Sequence, residues 1–343
     1  MRSSSISYFL SSFFVLALAI PLGYLIGGLP GAWTVAVLAV LETSLSFDNA
    51  VVNAAVLGGW NQAWRRLFLW VGLPIAVFGM RLVFPILVVS LTTGLGMMQA
   101  FWLALESPAD YARALTSAHH YVAAFGGTFL LMVAFEFFID AEKEHHWLPG
   151  IERLFAKLAT YQKMVGAGIA LSVLMLASLM VHGEAQQQFI VAGILGFLVY
   201  VGTKFLGELL SGGDAGVGVK VAQGIGGLLY LEILDASFSF DGVIGAFAIT
   251  NQLFLIMLGL GVGAMFVRSL TIYLVDKGTL AEYRYLEHGA FWAILVLAGI
   301  MFLGVRVEIP EVVTGFLGAG LIGLALWSSV RANQHDARKL STR

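Results

Sequence analysis

Cysteine is absent from the 343 residues. Disulfides, thiolate metal centres and thiol nucleophiles are excluded with it. Charge is scarce too. Asp, Glu, Lys and Arg make up 12% of the chain, against about 25% in an average soluble protein. Nineteen basic residues stand against twenty-one acidic ones, a net charge of −2. No basic tract of the kind that grips nucleic acid occurs. What fills the chain instead is apolar: 59% of residues, with a mean hydropathy of +0.87. A soluble globule cannot hide that much apolar surface and still coat itself with charge. A soluble enzyme, a disordered chain and a secreted disulfide scaffold are ruled out, and lipid is the expected solvent.

A helix needs roughly 20 apolar residues to cross a bilayer. Ten such stretches are expected, near 8–28, 31–58, 66–90, 119–139, 164–182, 188–208, 220–250, 252–275, 288–305 and 309–330. The stretch 92–118 carries Trp102, Glu106, Asp110 and Arg113, which fits an interfacial helix better than a crossing. Basic residues test this path, because cytoplasmic loops hold the excess of Lys and Arg. One side collects Arg2, Arg65, Arg66, Lys143, Arg153, Lys157, Lys163, Lys204, Lys220, Lys277, Arg284, Arg331, Arg338, Lys339 and Arg343. The other holds Arg113 and Arg306. Both termini are therefore expected in the cytoplasm. Ala17-Leu18-Ala19 could pass for a signal-peptidase site, but cleavage there would remove one unit of the symmetry described next.

The segment LETSLSFDNAVV (41–52) repeats as LDASFSFDGVIG (234–245). Leu41, Ser44, Ser46, Phe47 and Asp48 match Leu234, Ser237, Ser239, Phe240 and Asp241, and Glu42 matches Asp235. Asn61-Gln62, Arg81 and His120 then recur in order as Asn251-Gln252, Arg268 and His288. The first motif lies in span 2 and the second in span 7. An odd offset reverses direction, so the expected fold is an all-α polytopic bundle of two inverted-topology repeats. These are 1–182 and 183–343, within one transporter domain spanning 1–343.

Both motifs sit near mid-span. A charged residue there costs about 2.5–3.5 kcal/mol even on the lenient insertion scale. Five carboxylates occupy this depth (Glu42, Asp48, Glu232, Asp235 and Asp241), with Arg81 and Arg268 as the cations. Structural ion pairs would absorb two acids and leave three unbalanced. At about 100° per residue, Glu42, Ser46, Asn49 and Asn53 form one stripe of oxygen donors. Glu232, Asp235, Ser239 and Thr250 form the equivalent stripe in the second motif. Asp48 and Asp241, with Ser44 and Ser237, point the other way on a straight helix. Either they serve a different contact, or the helices break at Ser-Phe-Asp and both sets converge. Gly242 and Gly245 would permit a break in the second motif, and nothing comparable sits in the first. The expected metal-binding set is Glu42, Ser46, Asp48, Asn49, Glu232, Asp235, Ser239 and Asp241. Carboxylate, hydroxyl and amide oxygens suit Mg²⁺, Mn²⁺ or Ca²⁺. Neither motif contains His, which argues against Zn²⁺. Glu136, Asp140, Glu142, Glu144, His145 and His146 read as a solvated helix end and loop, with a cytoplasmic metal vestibule as the alternative.

The segments ETSLSFDNA (42–50) and DASFSFDGV (235–243), with FEFFIDAEKEHHWLPGIE (135–152), resemble the TerC superfamily of bacterial integral membrane proteins. In particular they resemble a branch catalogued as a domain of unknown function. That family carries the name of tellurium resistance. The resemblance implies metal-ion transport, most of all manganese efflux. It carries the ion-binding role to Glu42, Asp48, Asn49, Asp235 and Asp241. Many TerC proteins have Ser where Gly242 stands, so the second motif offers one side-chain oxygen fewer. The expected function is a divalent-cation exporter of the bacterial inner membrane, not an enzyme. Mn²⁺ is its cargo rather than a resident cofactor, and protons are its counter-ion. The alternatives are an exporter of an amino acid or organic cation, a non-transporting scaffold in a stress complex, and an intramembrane aspartyl protease built on Asp48 and Asp241.

Overall fold

The computed structural model describes residues 5–140, 145–157, 162–210, 223–307 and 309–341; the side chain of Asp241, like those of a few other positions, falls outside that description. After a 3-10 turn at Ser5–Tyr8 come α1 (Leu10–Leu45), α2 (Phe47–Gly58) and α3 (Gln62–Pro74). A π-helical segment, Ile75–Val83, leads into α4 (Phe84–Thr93). Then follow α5 (Met97–Glu106), α6 (Pro108–Ser117), α7 (His119–Phe138), α8 (Pro149–Ala156) and α9 (Gln162–Ser178). The second part holds α10 (Glu184–Leu210), α11 (Ile225–Ile249), α12 (Leu253–Asp276), α13 (Thr279–Glu282), α14 (Leu286–Leu303) and α15 (Glu311–Ser341).

Six helices among the described residues are long and apolar enough to cross a membrane: α1, α7, α10, α12, α14 and α15. The α3 and α4 pair qualifies as a seventh, bent by 41°. α11 is as long and as apolar as these, but any crossing it makes carries three acids, Glu232, Asp235 and Asp241. α9 is apolar and shorter. No strand occurs among the described residues. The chain is a polytopic all-α membrane protein.

α1 is folded in two. Its backbone leaves helical geometry at Gly27 (φ −132°, ψ 17°) and Gly28 (φ 63°, ψ −154°). The second is a left-handed conformation that favours glycine. A Cβ on Gly23 would lie 2.8 Å from Val35 Cγ2, whereas twelve residues of straight helix span about 18 Å. The 36 residues therefore form a hairpin, with Pro30 in the first turn after the bend.

Contacts at helix termini sort into two ends of the bundle. At one end Asn61 meets Gln223, His288 meets Glu152, Arg284 meets Asp336 and Tyr8 meets Tyr273. At the other, Gly27 approaches Gln252, and Arg306 donates to the carbonyl of Met180. α5 and α6, ten residues each, take the place of the expected interfacial helix as two pieces joined at Ser107. Trp102 on α5 is exposed.

α7 is buried on nearly all sides and packs against α10, α14 and α11. Gly126 and Gly127 on α7 admit Met301 and Phe302 of α14. Without a hydrophobic drive between helices in lipid, such small residues permit the close packing that holds them together. Lys204, counted above with the cytoplasmic charges, lies well inside α10, where it pairs with Glu136 of α7. The aliphatic stem of lysine lets the charge reach a partner from an apolar helix.

Candidate cation site

The first motif straddles a break. α1 ends at Leu45, Ser46 adopts φ −97° and ψ 23°, and α2 starts at Phe47. The second motif runs unbroken through α11. This reverses the expectation drawn from Gly242 and Gly245. Gly242 serves proximity instead: a Cβ there would lie 3.3 Å from Glu42 Oε2. A packed helix gains nothing from breaking at glycine when the missing side chain is what lets another helix's carboxylate approach.

Two of the five acids are matched by arginines. Glu42 Oε1 pairs with Arg81, which sits in the π-helical segment, and also accepts a 3.1 Å bond from Ser46 Oγ. Glu232 Oε1 pairs with Arg268 Nη2 at 3.1 Å. Arg268 is further fixed by the Phe68 carbonyl at 3.0 Å and by the Phe68 ring, 4.4 Å from its guanidinium carbon. All four of these charged side chains are buried.

Asp48 and Asp235 are buried without a pairing cation among the described residues. Asp48, in the first turn of α2, accepts the Asn49 backbone N–H at 2.9 Å. Asp235 accepts the Asn49 side-chain amide at 2.5 Å, a direct bond between the two motifs. Around that bond lie buried oxygens with no hydrogen-bond partner among the described residues: Asn49 Oδ1 and Asn53 Oδ1 on α2, and Glu232 Oε2, Asp235 Oδ2 and Ser239 Oγ on α11. Positions 49 and 53 share one face of α2, and 232, 235 and 239 share one face of α11. Leaving a buried acceptor unsatisfied costs about 1–3 kcal/mol each. Hard oxygens left bare at this cost are what a hard cation would satisfy.

The expected set nonetheless divides. Glu42, Ser46 and Asp48 line a cavity of about 480 Å³, together with Gly242, His119, His120, Thr116 and Arg306. Asn49, Glu232, Asp235 and Ser239 lie outside that lining, in a closed layer between α2 and α11. Among the described residues no three His, Asp or Glu side chains surround one point. The arginines hold Glu42 and Glu232 apart, and Asp48 and Asn49 point to different sides of α2. Asp241 lies on α11, its side chain outside the described set.

Sequence reasoning passed over Glu152. It is fully buried on α8 and accepts bonds from His288 Nδ1 (2.9 Å), Trp292 Nε1 (2.9 Å) and the backbone N–H of Trp147 and Leu148. His146 lies 3.5 Å away. Within the expected solvated stretch, Glu136 instead binds Lys204 and, at 2.7 Å, the Tyr200 hydroxyl; Glu142 and Glu144 lie outside the described residues. Burial pushes the Glu152 carboxyl up, but the His288 and Trp292 bonds outweigh it and bring it from 4.5 down to about 2. A depressed carboxyl contributes stability above its unfolded value and loses it as pH falls through the folded one. The detergent-solubilised protein should therefore lose stability between about pH 4.5 and 2. Glu152→Gln should flatten that limb of the melting-temperature profile and cost about 1–3 kcal/mol at neutral pH. An unaltered acid limb would refute this role.

Comparison with known proteins adds one match. The model of a family described as "Protein of unknown function (DUF475)" covers residues 47–336, from the first motif into α15. No curated protein matches, and no solved structure does.

Proposed function

We propose that this chain, which belongs to the DUF475 family over residues 47–336, most of its length, transports a divalent metal cation across a membrane. Mn²⁺ export is the leading activity, in line with the resemblance of both motifs to TerC proteins. The observation that carries this reading is the bare oxygen layer of Asn49, Asn53, Glu232, Asp235 and Ser239. On the other side of α2, Asp48, which has no pairing cation among the described residues, lines the cavity. Structural ion pairing accounts for Glu42 and for Oε1 of Glu232 and leaves the bare oxygens of this layer without a purpose.

The proposed path has ten crossings in two inverted repeats. The α1 hairpin supplies two crossings, the second continuing into α2. The bent α3 and α4 pair, α7, α9, α10, α11, α12, α14 and α15 supply the others. The sorting of termini into two ends supports this path. The pairing of each motif helix with the arginine of the following crossing, Glu42 with Arg81 and Glu232 with Arg268, supports the repeat. With the basic residues inside, both termini lie in the cytoplasm of a bacterial inner membrane, and the cavity at Asp48 opens outward. When the cation leaves, its carboxylates need another positive charge. Protons compete with metal for the same oxygens, so external protons exchange for internal cation.

A cavity of about 480 Å³ is also large enough for a small organic molecule. That favours one second reading, an exporter of an amino acid or organic cation. Purified protein in liposomes separates the two. Mn²⁺ added outside should enter while protons leave, at a clamped membrane potential. Flux of an organic ammonium ion with none of Mn²⁺ would replace the metal reading, and flux of neither would leave a scaffold.

A further inference from the structure

α8 is inverted relative to an ordinary surface helix. Its acidic residue Glu152 is fully buried, while Ile151 and Leu154 are exposed (49% and 60%). A helix at the end of a membrane bundle with apolar residues turned outward lies in the lipid interface. Among the described residues, two side chains hold it to the bundle. Phe155 touches the rings of Phe135 and Phe138 on α7, and Glu152 hooks His288 and Trp292, one turn apart on α14. The opposite half of α14 forms a wall of the outward cavity through Leu297, Ile300 and Met301. One helix thus carries the hook at one end and the cavity wall at the other, and no residue of the hooked end lines the cavity.

We propose that Glu152 is a positioning residue that latches α14. Held by α8, α14 closes the inner end of the pathway and keeps the outer cavity open; released, it swings to open the inner end and narrow the outer one. A polar hook suits this task, because its bonds can be exchanged for bonds to water once the end opens. The latch rests on the transport reading for its purpose, but its mechanics can be measured without transport.

The absence of cysteine makes the measurement direct. Single cysteines are introduced at Thr314, in the cavity wall on α15, and at Ala290, fully buried between His288 and Trp292 on α14. The rate of reaction with a water-soluble maleimide is read for each in the full chain in liposomes. Glu152→Gln should raise the rate at position 290 about tenfold, the effect of a 1.4 kcal/mol shift, and lower it at position 314. Trp292→Phe keeps the ring packing on Phe138 and removes one bond, so it should do the same to a smaller degree. A rise at 290 with no fall at 314 means local loosening and overturns the latch. Unchanged rates at both positions overturn it too. If Glu152→Gln raises both rates by unfolding, Trp292→Phe decides. Absence of Mn²⁺ flux in the unmodified protein would defeat the transport reading while leaving these rates to stand or fall alone.

Discussion

Asp48→Asn is expected to abolish cation flux in liposomes while the protein still folds, inserts and elutes as a single species. Asparagine has nearly the same shape and is cheaper to bury in a membrane. The bond Asp48 accepts from the Asn49 backbone can be kept by an amide oxygen. What disappears is the negative charge facing the cavity. Losing one charge-assisted contact, about 3 kcal/mol, corresponds to about a hundredfold in affinity. Asp235→Asn should behave alike, because its amide oxygen can still accept from the Asn49 side chain. Asn49→Ala should be worse than either in folding, since it strips Asp235 of its one bonded partner among the described residues. If Asp48→Asn and Asp235→Asn both transport at normal rates, these carboxylates are not on the path.

Arg81→Met should prevent the protein from accumulating. Arg81 is 1% exposed and Glu42 5%. Removing the guanidinium leaves a buried carboxylate next to the α12 backbone at Gly263 and the α11 backbone at Gly242. Breaking one side of a buried pair costs about 3–5 kcal/mol, whereas replacing both sides with neutral groups is often tolerated. The double variant Arg81→Met with Glu42→Gln should recover yield and melting temperature in detergent. Recovery of folding without recovery of flux would separate the structural duty of the pair from its share in transport. A double variant as poor as Arg81→Met alone would show that Arg81 stabilises the fold through something other than Glu42.

The membrane character and the two acidic motifs were legible from residue types alone. Apolar length and the cost of charge at mid-span leave few other readings. The boundary between the first two expected spans, near 28–31, falls at the observed bend, although the residues that make it, Gly27 and Gly28, were not singled out. That Arg81 and Arg268 would absorb two of the five acids followed from counting cations at the same depth; which two they are, Glu42 and Glu232, came only with the structure. What stayed hidden depends on packing between distant segments. The break fell at Ser46 rather than near Gly242, because Gly242 is needed where Glu42 approaches. The division of the expected site into a cavity and a closed layer follows from which side of α2 meets α11. Glu152 looked like one more charge in a polar loop. Its partner His288 lies 136 residues away, and no local pattern links them.

The π-helical segment at Ile75–Val83 holds more residues per turn than an α-helix requires. Residues beyond such a surplus are turned relative to where a continuous α-helix would put them. Each extra residue turns them by about 100°. Arg81 lies near the end of this segment. Without the surplus the guanidinium would face about 100° away from its observed direction and miss Glu42. The register of this segment, and not only the identity of residue 81, therefore decides whether the guanidinium reaches Glu42.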